Sequence, residues 1–247
     1  MELRPEGCLQ EIYAGNAEVF RAWRLRQSMI QAAEPFLDES SDPRVRGFLH
    51  RPQSPSGDGI VLTHGAGANC QSPLLVAVAE ALAESGLLVL RYDLPFRQLR
   101  AHGPPGAGSG VRDREGLRQA VGALRKIVPG RVFLGGHSYG GRQASMLAAE
   151  DSAVAAALLL LSYPLHPPRR PTQLRTAHFP QLQVPSLFVA GTRDDFASAE
   201  EITRALELIA ARTRLLAIEG AGHSLAGRRE LAEVAAGITR AFLEFAG

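Results

Sequence analysis

From residue 59 onward the chain alternates short, almost wholly apolar runs with longer stretches in which apolar residues return every three or four positions. The runs are GIVLTH (59–64), LLVLRYD (87–93), RVFLGG (131–136), AAALLLLSY (155–163), SLFVAG (186–191) and RLLAIEG (214–220). Runs without a polar face suit strands that are buried on both sides of a parallel sheet. Between them the spacing predicts helices near 72–84, 111–127, 140–150, 198–211 and 228–245, with Pro73 and Ser198 where helices begin. Strand and helix in regular alternation predict an α/β protein, a mostly parallel central sheet with helices on both faces. VRGFLHRP (45–52) adds a strand ahead of the repeat, expected to be antiparallel.

Residues 44–247 therefore form the expected domain, preceded by an N-terminal arm, 1–43, whose role the sequence leaves open. Within the arm, NAEVFRAWRLRQSMIQAAE could be a helix using Val19, Phe20, Trp23 and Ile30 as its apolar face, although arginines interrupt it. A packing arm along the sheet edge is the simplest role. RAHGPPGAGSG (100–110) lacks the closing G-K-[ST] of a phosphate loop and is expected to be a mobile loop.

Composition narrows the function. The chain of 247 residues is 45% hydrophobic, enough for one large core. Its 27 basic and 25 acidic residues nearly balance, and they are interleaved as on solvated helix faces, so neither a nucleic-acid nor a membrane partner is expected. Cys8 and Cys70 are too few for a disulfide framework, and the start lacks the apolar core of a signal peptide. The longest apolar run, AVAAALLLL (153–161), is about half of a membrane span. A cytoplasmic protein is expected.

The chemistry concentrates at RVFLGGHSYGGRQASMLAAE (131–150), where a strand pattern breaks into glycines around one serine and resumes as a helix. Gly136-His137-Ser138-Tyr139-Gly140 spells G-x-S-x-G, a turn that holds its serine in a strained conformation and leaves no room for side chains two residues either way. The spelling arises by chance about 0.15 times in a chain of this composition, so context must decide. Ser138 falls at the carboxyl end of a central parallel strand, where open α/β sheets place their ligands.

A serine hydroxyl needs a base in reach and a third group to orient that base. SLFVAGTRDD brings Asp194 and Asp195 directly after the next-to-last strand, and RLLAIEGAGHS brings His223 after the last. The order serine, acid, histidine is the one that this strand-turn-helix setting requires. Asp194 is preferred to Asp195 because it comes first after the strand. His64, His137 and His166 are expected to be structural or substrate-lining, and Asp93, which precedes the serine, to satisfy backbone donors locally. The oxyanion hole is expected from two amides, Tyr139 after the nucleophile and Ala66 in the THGAGANC loop (63–70).

Together LTHGAG, LRYDLPFR, GGHSYGGR, LSYPLHPP, FVAGTRDDF and GAGHSL resemble the small α/β-hydrolases of the dienelactone-hydrolase-like group, which takes in bacterial hydrolases and the eukaryotic testis-expressed, KANSL3/TEX-type relatives. The resemblance covers roughly residues 45–245 and implies the α/β-hydrolase fold with a Ser138–Asp194–His223 triad. Dienelactone hydrolases proper carry cysteine at the elbow, and serine here argues against that substrate. The expected activity is carboxylic ester hydrolysis through an acyl-enzyme, with no metal or organic cofactor and a small-molecule ester as partner. Peptide or thioester hydrolysis would use the same groups, and a non-catalytic binding module on the same scaffold is the alternative class. The segment 165–185, with five prolines, is too short and broken for an amphipathic lid, so minimal or no lid is expected and soluble short-chain esters are preferred. The oligomeric state is not fixed by the sequence.

Overall fold

The computed structural model describes residues 32–225 and 230–247. The strands are β1 (Glu34–Asp38), β2 (Val45–His50), β3 (Gly59–Thr63), β4 (Leu88–Tyr92), β5 (Val132–His137), β6 (Leu158–Leu161), β7 (Ser186–Gly191) and β8 (Thr213–Ile218). They form one sheet in the order β1-β2-β4-β3-β5-β6-β7-β8. The pairs β1–β2 and β2–β4 are antiparallel, and every pair from β4 through β3 to β8 is parallel.

Helices α1 (Pro73–Glu84), α2 (Pro95–Leu99), α3 (Ser109–Arg125), α4 (Tyr139–Glu150), α5 (Ala199–Leu206) and α6 (Leu231–Ala246) join them. The runs that became β3 to β7 bury both faces because alternate residues enter separate cores. Ile60, Leu62, Val89, Leu159 and Val189 pack with Leu75, Val78 and Leu82 of α1 and Ile238 and Phe242 of α6. Val61, Leu90, Leu134, Leu160 and Phe188 pack on the other face with Leu117 and Leu124 of α3, Leu147 of α4 and Ile202 of α5. Helices on both faces of a mostly parallel sheet is thus the observed class.

Three details depart from the sequence pattern. The helix expected over 16–34 lies outside the described residues up to 31, and its last residue, Glu34, opens β1, which extends the sheet by one edge strand. The helix expected over 198–211 starts on a reciprocal cap between Ser198 and Glu201 but ends at Leu206. Ile209 keeps the apolar spacing because it enters the core from a turn. Helix α2 is five residues long, too short to leave a periodic signal. Between β6 and β7 only a single 3₁₀ turn, Phe179–Gln181, interrupts the coil, so no lid helix is present among the described residues.

Candidate active site

Strand β5 ends at His137, helix α4 begins at Tyr139, and Ser138 is the single residue between them. Its φ of 51° and ψ of −116° lie where only glycine is comfortable. The turn persists because the flanking glycines let strand and helix nearly touch. A Cβ on Gly136 would stand 2.8 Å from the backbone of Gly140 and Gly141, and one on Gly140 would stand 2.5 Å from the carbonyl oxygen of His64. The Ser138 amide is tied to the end of β6 through Leu161 O at 2.8 Å.

The loops after β7 and β8 meet this turn. Ser138 Oγ lies 2.8 Å from His223 Nε2, and His223 Nδ1 lies 3.0 and 2.9 Å from the two carboxylate oxygens of Asp194. A carboxylate can only accept, so Nδ1 carries the hydrogen and leaves Nε2 free to accept from the serine hydroxyl. Asp194 is buried at 8% exposure, while Asp195 is exposed. Asp194 Oδ1 also accepts from the Phe196 amide at 2.9 Å, and the Phe196 ring stacks on His223 with centroids 4.1 Å apart. The two loops are joined by Arg193 N to Ala221 O at 2.9 Å.

Ala66 and Tyr139, the residues expected to supply the oxyanion amides, line one cleft with Ser138 and His223. The cleft holds about 560 Å3 and is also bordered by His137, Arg142, Pro164, Arg175 and Phe196. The Tyr139 amide is the first of helix α4 and is not spent inside the helix. Its phenol donates to Asp113 at 2.7 Å, and Asp113, wholly buried, accepts from the Phe96 amide as well. Burial pushes the Asp113 carboxyl up and the Tyr139 phenol up, the latter with a further contribution from Asp113.

The remaining histidines and Asp93 serve the frame. His64 accepts from Leu94 N at 3.1 Å through Nε2 and donates to Gly65 O at 2.9 Å through Nδ1, and burial holds its pKa down. His137 donates to the carbonyl of His223, and burial lowers its pKa to about 4. His166 lies 3.4 Å from Glu201. Asp93 accepts from the Cys70 amide at 2.8 Å, a backbone donor 23 residues away rather than a local one.

Arg97 is the site residue to which the sequence assigned no role. Its side chain donates to Ala68 O at 2.7 Å, Ala66 O at 2.9 Å, Ala101 O at 2.8 Å, Gly103 O at 3.0 Å and Arg100 O at 3.2 Å. It thereby clamps the loop carrying the Ala66 amide and tethers the start of the glycine-rich stretch 100–110. The LRYDLPFR segment contains it, but a clamp on carbonyl oxygens leaves no residue-type signature on its partners. Among the described residues no cluster of three or more His, Cys, Asp or Glu is placed to hold a metal ion. Nor is any described helix long and apolar enough to cross a membrane.

Residues 57–243 match the family model described as Alpha/beta hydrolase domain. Similar solved structures include the dienelactone hydrolase of Anabaena variabilis ATCC 29413, at 24% identity over 88% of this chain and 99% of that one, with a TM-score of 0.69. Est1E of Butyrivibrio proteoclasticus is 18% identical over 85% and 98%, with a TM-score of 0.66. An α/β serine hydrolase without lid from Xanthomonas campestris is 15% identical over 86% and 94%, with a TM-score of 0.65. At these identities the likeness concerns the fold.

Proposed function

This chain belongs to the alpha/beta hydrolase domain family, and from that premise we propose that it is a serine hydrolase of carboxylic esters working through an acyl-enzyme. The observation that carries the proposal is the unbroken chain of contacts Ser138–His223–Asp194, every link at 3.0 Å or less, at the mouth of an open cleft. In the proposed cycle Ser138 Oγ attacks the ester carbonyl carbon as its proton passes to His223 Nε2. The carbonyl oxygen, now negative, is held by the amides of Ala66 and Tyr139. Asp194 keeps Nδ1 protonated and offsets the charge of the imidazolium. His223 then gives its proton to the departing alkoxide, and water repeats the sequence on the acyl-enzyme, releasing the acid and restoring Ser138. No metal or organic cofactor takes part.

The substrate we assign is a soluble ester with a short acyl group. The 560 Å3 cleft has no described lid helix above it, and each methylene left in water forgoes about 0.8 kcal/mol of transfer free energy. The dienelactone-hydrolase-like group, with its KANSL3/TEX-type relatives, is the subgroup proposed, and the cytoplasm the compartment. The partner proposed is that small ester, with neither nucleic acid nor membrane. A fluorophosphonate probe tests the central claim: one adduct on Ser138 is expected, and labelling elsewhere, or none in folded protein, would overturn it.

A further inference from the structure

Two arginines, Arg142 and Arg175, border the same cleft as Ser138 and His223. Arg142 stands four residues after the nucleophile on α4. Four residues of helix rise about 6 Å, so its side chain begins close to Ser138. Arg175 comes from the coil between β6 and β7, where its Nη1 donates to Pro164 O at 3.4 Å and its main chain is fixed. Its amide donates to Leu165 O at 2.8 Å, and its carbonyl accepts from the Tyr163 hydroxyl at 2.7 Å.

Both arginines are half-buried, and among the described residues no carboxylate lies within 4.0 Å of either. The surroundings are cationic or neutral. Arg114 is nearby but is itself paired with Glu150 at 2.8 Å. His178 is held at about 4 by burial and then by Arg142 and Arg114. The Arg175 pKa is lowered, by burial first and Arg142 second. Arg142 Nε is a buried donor without a hydrogen-bond partner among the described residues. Like charges brought together out of water destabilise one another unless an anion sits with them, and an unmet buried donor adds to that.

We infer that Arg142 and Arg175 form an anion subsite for an oxyacid group, carboxylate or phosphate, on the acyl part of the ester. This rests on the serine-hydrolase reading and adds the charge of the substrate to it. Guanidinium forks match either oxyacid with paired donors. The short step along α4 puts the anion a few bonds from the scissile carbonyl, as in a monoester of a short diacid.

The test compares kcat/KM for monoethyl glutarate and ethyl pentanoate within each protein, so that any loss of folded protein cancels in the ratio. Wild type is expected to favour the charged ester by about tenfold or more, the range of one charge-assisted hydrogen bond. R142Q and R175Q are each expected to lower that ratio, and added salt to lower it in wild type. Protection of Ser138 from a fluorophosphonate by butyrate or by propylphosphonate reads binding without turnover and separates the two oxyacids. Wild type that labels on Ser138 but shows no preference and no protection by either anion would overturn the subsite alone. Wild type that does not label on Ser138 would overturn the serine-hydrolase reading, and the subsite with it.

Discussion

His137 donates its Nε2 hydrogen to the main-chain oxygen of His223 across 2.8 Å, so the residue before the proposed nucleophile supports the loop that bears the proposed base. The ring is neutral at working pH, since burial lowers its pKa to about 4. His137→Phe keeps the ring and removes the donor. A hydrogen bond of this kind contributes about 0.5–1.5 kcal/mol, so kcat is expected to fall by up to about tenfold while KM moves less. Steady-state kinetics on one short ester checks it, and an unchanged kcat would remove the positioning role.

The adjacent carboxylates should separate cleanly. Asp194→Asn removes the group that fixes the His223 tautomer, and kcat is expected to drop by about 10⁴-fold. Asp195 is exposed, and Asp195→Asn is expected to stay within a few-fold of wild type. The reverse order of effects would reassign the acid.

Arg97 is expected to act on rate through the Ala66 loop. Arg97→Gln leaves Ala66 O and Ala68 O without their donors, and loss of an oxyanion amide from position lowers kcat by about 10²-fold in comparable sites. Arg97→Lys should recover part of the loss through one or two of the bonds. A rise in KM alone, with kcat intact, would count against the clamp.

Acid should unfold the protein from a definite pH. Burial holds His50, His137 and His178 at about 4, against an ordinary value of 6.5. Between those limits the unfolded chain binds more protons, so the stability these groups contribute is complete above pH 6.5 and lost as the pH falls toward 4. Each histidine removes at most about 1.4 kcal/mol per pH unit, less where solvent screens it as at half-buried His178. His50 makes the reason concrete: its Nε2 accepts from Arg91 Nε at 2.7 Å and cannot do so once protonated. Urea midpoints at pH 7.5, 6 and 5 measure the slope, and equal midpoints would refute it.

What the sequence made legible was whatever depends on residue type at fixed spacing. The runs that became β3 to β7 are buried on both faces, so apolar content alone marked them. Gly136 and Gly140 marked the elbow because any side chain there collides. Strand order pointed to Asp194 and His223, and in the structure Asp194 is the buried carboxylate beside His223 while Asp195 is exposed. Strand β1 was not legible: EPFLD is short, carries Glu34 and Pro35, and pairs on only one side among the described strands. Arg97 was hidden for another reason, since its partners are carbonyl oxygens that every residue possesses.

Ser138 sits at φ 51° and ψ −116°, a conformation that glycine adopts freely and that costs other residues about 1–3 kcal/mol. Ser138→Gly should therefore melt at a higher temperature than Ser138→Ala while being equally inactive. A chain shaped only for persistence would drift toward glycine at this position. On the proposed reading, serine at this turn trades durability for reactivity.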